Sequence, residues 1–286
     1  MSQMAVIIGY AMREALRRKV FAVVLLLTFA FLFLFWLANH YVFRDITHIT
    51  PPRDFPQLDA RTFAGSFMVG LAMFATLFLG VVLAIFLTLG AVRGDADRGL
   101  LQPLVVRPIG RTTFLVARFV GTVGVAGPYV LAVYFASMLI TGLTGHWWPD
   151  RILAPGLELA AAVALIAAIS LLGSVFLTAT ANGIAVFMVF GAGLVAGLLG
   201  SIGHALNSPT LEHASKIAAY VVPVEALYQD ALRQITADTT GLTRFVLELG
   251  PFGGAFIGGW QVRVWALAYL GLVAAIALVG FSRKDL

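Results

Sequence analysis

Side chains able to do chemistry are scarce in this chain and gather at the edges of long apolar runs. There is no cysteine, which removes thiolate nucleophiles, thiolate metal sites and redox pairs. The five histidines, His40, His48, His146, His204 and His213, stand without HxxxH or HxxE spacing. They read as loop or interfacial side chains and not as metal ligands. The run GPFGGAFIGGW, Gly250 to Trp260, is rich in glycine but has no Lys or Ser/Thr in phosphate-loop spacing, and no GxxxxGK[ST] occurs anywhere. A nucleotide cradle is therefore not expected in this chain. No nucleophile and base stand at a plausible spacing within an apolar run, so an enzyme is not expected either. What remains is one compact charged stretch, Arg93 to Arg118, which holds five of the nineteen Lys and Arg residues. Asp95, Asp97, Arg98, Arg107 and Arg111 make it polar, and Leu100, Leu101, Leu104, Val105 and Val106 give it an apolar strip. Pro103 and Pro108 limit it to short helical pieces. Exposed apolar residues flanked by charge suit a partner surface. The same composition also suits a solvated loop carrying the basic charge of one membrane face.

The elements that would carry this stretch are transmembrane helices. Of 286 residues, 60% are hydrophobic and 12% charged, against about 25% charged in an ordinary soluble domain. Mean hydropathy is +0.94 and the isoelectric point is near 9.8. In a chain this apolar, basic residues flank membrane spans and orient them. They do not imply a nucleic-acid partner. A span needs about 20 mostly apolar residues, and six segments qualify: about 20–38, 66–90, 113–142, 156–179, 183–203 and 260–281. Residues 1–19 place Arg13, Glu14, Arg17 and Arg18 on one helical arc opposite Ile8, Met12, Ala15 and Leu16. That pattern suits an amphipathic helix at the membrane surface, with a plain basic flank as the alternative. The first apolar run is longer than a signal-peptide core and lacks a small-residue cleavage site, so it is read as retained. Gly127-Pro128 falls inside the third span, where a kink is expected. Trp147 and Trp148 are expected as an interfacial pair. Thr180, Ala181 and Asn182 are expected as a tight turn. The expected architecture is an all-α polytopic membrane protein, a single transmembrane domain over 1–286, with a cytoplasmic loop at 91–112 and an outer amphipathic or re-entrant segment at 204–259, before the last span.

Six spans put both termini on one side. That side holds eleven Lys and Arg (Arg13, Arg17, Arg18, Lys19, Arg93, Arg98, Arg107, Arg111, Arg118, Arg283, Lys284) and the other side the remaining eight, over longer loops. The positive-inside rule then places both termini and the 91–112 loop in the cytoplasm. No Asp, Glu, Lys, Arg or His falls in the middle of a span, and Glu158 and Arg263 lie near outer ends. Intramembrane charges mark proton relays and ion sites, so their absence disfavours a proton-coupled carrier. Gly193 and Gly197 form a GxxxG step that allows close helix packing. Ser137, Thr141, Ser170, Ser174, Thr178 and Thr180 read as backbone-bonded or interhelical hydroxyls.

In the outer segment, Pro223 opens a second amphipathic helix. Val224, Leu227, Ala231, Leu232 and Ile235 take one arc, and Glu225, Gln229, Asp230, Arg233 and Gln234 the other. This is the profile of a helix lying in the outer interface or dipping partly into it.

The charged loop resembles a pattern found in ABC-2-type permease subunits, including the NosY-like group, whose loop runs close to E-x-E-x-G-T-L-E-L-L-L-S-x-P-[VI]-S-R. Here the run is Asp95-Ala-Asp97-Arg98-Gly99-Leu-Leu101-Gln-Pro103-Leu-Val-Val-Arg107-Pro108-Ile109-Gly-Arg111. It aligns without a gap. The acid pair, Gly99, Leu101, Pro108, Ile109 and Arg111 agree in type, while Leu100, Gln102, Pro103, Val106 and Gly110 depart. The REALRRKVF start, the YVVPVEALYQDAL stretch with Pro223, Glu225, Leu227 and Tyr228, and the FSRKDL end are similar to other parts of the same family. The resemblance implies a dimer of six-span subunits in the inner or plasma membrane. Each subunit would dock by its loop on a separate cytoplasmic ATPase that binds the ATP and Mg, with no cofactor in this chain. The implied function is a permease, an exporter by preference. The alternative is a membrane subunit that transmits force to an outer-side partner in assembly or maturation. Membrane lipids and a second permease copy are the other implied partners.

Overall fold

The computed structural model describes residues 9, 12–14, 16–17, 19–46, 59–89, 110–237 and 259–282. Eight helices have both ends placed: α1 (Lys19–Ile46), α2 (Ala60–Thr88), α3 (Arg111–Gly145), α4 (Leu153–Phe176), α5 (Ala179–Ala205), α6 (Pro209–Val221), α7 (Val224–Gln234) and α8 (Trp260–Ser282). No strand occurs among the described residues. α1 to α5 and α8 are each long and apolar enough to cross a membrane. The protein is an all-α polytopic membrane protein.

Helix limits extend past the apolar runs because backbone hydrogen bonding and capping, not hydropathy, end a helix. α1 continues through Asn39, His40 and Arg44 to Ile46. Its 28 residues span about 42 Å at 1.5 Å each. α2 starts at Ala60 because Asp59 caps it. The Asp59 carboxylate accepts from the Arg61 N–H at 3.1 Å and from the Thr62 hydroxyl at 2.5 Å. α3 runs unbroken past Pro128 and closes with His146 in the left-handed region, φ 50°. The expected turn at 180–182 is absent. α5 begins at Ala179 and takes in Asn182, whose amide finds partners on α4.

α2 and α4 form the centre of the bundle. α4 packs against α2, α3, α5, α7 and α8. Lipid is as apolar as leucine, so close packing of small residues rather than hydrophobic transfer must join these helices. Gly80 shows this at the crossing of α2, α3 and α4: a Cβ there would lie 2.6 Å from Val130 Cγ2 and 2.8 Å from Val163 Cγ2. α1 and α8 are peripheral and expose Leu26, Phe29, Phe33, Leu267 and Val279. A hydroxyl contact ties α1 inward, Thr28 Oγ1 to the Tyr129 hydroxyl at 2.5 Å.

The rings of Phe114 and Phe281 meet near the start of α3 and the end of α8. This end of the bundle, which also receives Lys19, is the terminal end. At the opposite end Trp147 is buried against Gly65, whereas Trp148 stays half exposed over Gly142. The two tryptophans are therefore not an interfacial pair: one belongs to the core.

Candidate functional site

Two polar assemblies interrupt the apolar bundle, one at each end. The first lies at the terminal end, beside the base of the charged loop. Thr88, the last residue of α2, donates to Ser170 Oγ on α4 at 2.6 Å. Asn182 in the first turn of α5 donates to the Ser170 carbonyl at 2.9 Å. Gly173 leaves the room for this: a Cβ there would collide with Asn182 Oδ1. Across the same end, Arg118 of α3 pairs with Glu14 at 3.0 Å and lies over the Phe114 ring. The loop between Leu89 and Gly110 thus leaves from one fastened helix and returns to another.

Asp95, Asp97, Arg98, Gly99, Leu101, Arg107 and Pro108 lie outside the described residues. Of the loop residues singled out by their types, only Arg111 is described, as the first residue of α3.

The second assembly is built by the α6–α7 segment, a hairpin in that it turns back from the end of α5: α6 packs along α5, and α7 packs chiefly against α4. Asn207 takes φ 50° and the Ser208 N–H bonds the Gly203 carbonyl at 2.8 Å, closing α5. A left-handed residue with this long backbone bond is the Schellman closure. Pro209 then opens α6 at a position where its missing N–H costs nothing. α6 runs back along α5, with Leu211 against Gly203, and α7 starts with Glu225 against Gly197. From Gly197 to the end of α5 at Ala205 is about 12 Å of helix.

α7 is not a surface helix. Of its eleven residues, all but Arg233 are buried. Its apolar arc faces α2 and α4, where Leu227 and Ala231 are fully enclosed, Tyr228 meets the Phe74 ring, and the Tyr228 hydroxyl donates to the Gly70 carbonyl at 3.4 Å. Its polar arc is buried too, because the spans supply partners. Arg263 of α8 reaches Glu158 Oε1 of α4 at 2.7 Å and Asp230 Oδ2 of α7 at 3.0 Å. Gln234 donates to Glu158 Oε1 at 2.6 Å. One guanidinium therefore joins two carboxylates on three helices. The backbone adds a bond from the Asp150 N–H to the Ile235 carbonyl at 3.2 Å.

On the other side of α7, Gln229 donates to Glu225 Oε1 at 2.8 Å. Glu225 Oε2 has no hydrogen-bond partner among the described residues. It borders a cavity lined by Gly193, Gly197, Ser215, Val222 and Gln229, with about 10 Å³ for the centre of a water-sized particle. Glu225 lies outside the six spans, and burial pushes its carboxyl up to about 7, against the opposing hydrogen bond from Gln229.

Pro223, Glu225, Leu227 and Tyr228 are thus brought together at the start of α7, which dips into the bundle and does not lie flat on it. Glu158, Arg263, Asp230, Gln229, Gln234 and Ser215 are further members that sequence reasoning gave no joint role. The signal for the first two was present: two lone opposite charges near the same end of otherwise uncharged spans. The histidines whose side chains are described are scattered. His40 stacks on Trp36, His146 closes α3, and His213 Nδ1 lies 2.6 Å from the Pro209 carbonyl. Among the described residues no group of three His, Cys, Asp or Glu could hold a metal ion. Ser137, Thr141 and Ser174 bond carbonyls of their own helices. Comparison with protein-family models and with curated proteins finds no match to this chain.

Proposed function

We propose that this chain is the membrane subunit of an ABC-2-type transporter, an exporter driven by a separate cytoplasmic ATPase. The observation that carries the reading is the gap-free agreement of Asp95 to Arg111 with the family's loop pattern, in a loop between the second and third of six apolar helices. The lack of a Walker sequence in the chain agrees with a motor encoded apart from it. In this reading both termini and the loop face the cytoplasm of a cell whose inner or plasma membrane holds the bundle, and a second permease copy completes the transporter.

The polar contacts at the loop's base support the same reading. A push on the loop acts on Thr88, and Thr88 is bonded to Ser170 of the central helix. The loop's carboxylates and arginines would pair with the motor surface, a mechanical role and not a catalytic one. The test is co-expression with candidate ATPases, followed by ATP hydrolysis in lipid for wild type, Asp97→Arg and Arg111→Glu. Wild type is expected to form a complex with stimulated hydrolysis, and both charge reversals to lose it. An ATPase that binds and works equally well with both variants would remove the loop as the docking site.

A further inference from the structure

The charge balance inside the hairpin region is incomplete. Three buried carboxylates, Glu158, Asp230 and Glu225, accompany one guanidinium, Arg263, which already contacts the first two. Glu225 has only the neutral Gln229 amide. An ionised carboxylate held away from water without a positive partner is strongly disfavoured. Among the described residues no other element around it supplies one. α5 carries no acid or base among its described side chains. α6 offers Glu212, His213, Lys216 and Tyr220, none of them buried. α7 itself adds Tyr228, Asp230 and the half-buried Arg233. α4 adds Glu158, and α8 adds Arg263 and Tyr269.

The cavity at Glu225 limits what can restore the balance. Its size admits one water-sized particle and excludes an organic substrate. Glu225, with its orphaned Oε2, shares the lining with the neutral side chains of Ser215 and Gln229, one negative charge among neutral polar groups. Calcium takes six to eight oxygens and magnesium a near-ideal octahedron, so a divalent ion is poorly served. Gly197 keeps the seat open, since a Cβ there would lie against the Glu225 carboxylate. We propose that the cavity between α5, α6 and the start of α7 is a binding site for a single monovalent cation, with Glu225 as its charged ligand. Its occupant, a proton or an alkali ion, fastens the hairpin to α5. The site is separate from the loop and does not depend on which motor drives the protein.

The experiment follows thermal unfolding of the purified protein in lipid nanodiscs. One series exchanges choline for lithium, sodium or potassium at constant ionic strength near pH 9. A second lowers pH from about 9 to about 5 in choline alone, across the range in which a buried carboxyl titrates. Wild type is expected to gain stability in at least one series. A gain with an alkali ion identifies a metal cation, and a gain with acid alone that is smaller in Glu225→Gln identifies the proton. Glu225→Gln is expected to abolish the alkali-ion response and to reduce the gain in acid, because its amide is neutral throughout while the other buried carboxyls still titrate. Ser215→Ala removes one pocket oxygen and is expected to shift the midpoint of the response about fivefold in cation concentration. If Glu225→Gln does not fold, Ser215→Ala carries the test. A wild type indifferent to both series, a Glu225→Gln protein that responds as wild type does, or an unshifted Ser215→Ala midpoint would overturn the proposal.

Discussion

Arg263→Gln is the most direct test of the buried clamp. The substitution removes the guanidinium that contacts Glu158 at 2.7 Å and Asp230 at 3.0 Å. Glu158 would keep only the Gln234 amide, and two carboxylates would face each other with no positive charge between them. Removing one partner of a buried ion pair costs about 3–5 kcal/mol. The Arg263 side chain is 45% exposed, so water already screens part of the attraction, and we expect about 2–3 kcal/mol. The assay is unfolding by SDS in mixed micelles, followed by tryptophan fluorescence. A double-mutant cycle separates charge from packing. Asp230→Asn removes the excess negative charge, so the Arg263→Gln/Asp230→Asn protein should lose less than the two single variants together, with a coupling of about 1–2 kcal/mol. Added salt should change the cost little, because the carboxylates are enclosed. A coupling below about 0.5 kcal/mol, the level of independent sites, would refute the claim that these three side chains act as a unit.

Other expectations follow from single contacts. Gly173→Ala places a methyl against Asn182 Oδ1 and should cost about 1–3 kcal/mol by overpacking. Asn182→Ala in the same chain should recover part of that loss in the same unfolding assay. Asp59→Ala removes the cap of α2 and should cost about 1 kcal/mol. The Thr62 hydroxyl bonded to Asp59 holds its carboxyl below the usual 3.8. The cap's ionic contribution is therefore present above 3.8 and fades as pH falls through the lower folded value. The wild-type advantage over Asp59→Ala should shrink in acid and stay level from neutral pH upward, which unfolding curves across pH would read.

The spans were legible because each offers far more than the apolar length a membrane requires. Their ends were not. Asn39, His40 and Arg44 lower hydropathy without breaking a helix, so α1 runs on to Ile46. Ala60 to Gly65 looked like loop because Arg61 and Thr62 are polar, although Asp59 is a good cap and fixes the start. The two faces of α7 could also be read from spacing. What covers its polar face could not, since an amphipathic pattern states only that two environments exist and water is merely the commonest polar one. Here the polar environment is Glu158 of α4 and Arg263 of α8. The inventory of intramembrane charge had the same gap. It counted residues within spans, and Glu225 reaches the bundle from outside them on a folded-back hairpin. The loop pattern is the reverse case: legible in sequence, and outside the described residues.

α4 connects the two polar assemblies. Ser170, near one end, is held by Thr88 of α2 and Asn182 of α5. Glu158, near the other, is held by Arg263 of α8 and Gln234 of α7. Twelve residues of helix separate them, about 18 Å. Apolar contacts between helices can slip, because lipid offers an equally apolar replacement. A buried hydroxyl, amide or carboxylate has no such replacement and resists displacement until another polar partner is found. On these contacts a movement of α2 at the base of the charged loop would be passed to α4 at Ser170 and would leave α4 at Glu158, toward the hairpin and α8. α1 has its own polar tie to α3, between the Thr28 and Tyr129 hydroxyls. If the loop is where a motor pushes, α4, the hairpin and α8 are the parts that must move together, and Arg263 is the joint whose loss would leave motor binding intact while uncoupling the far end.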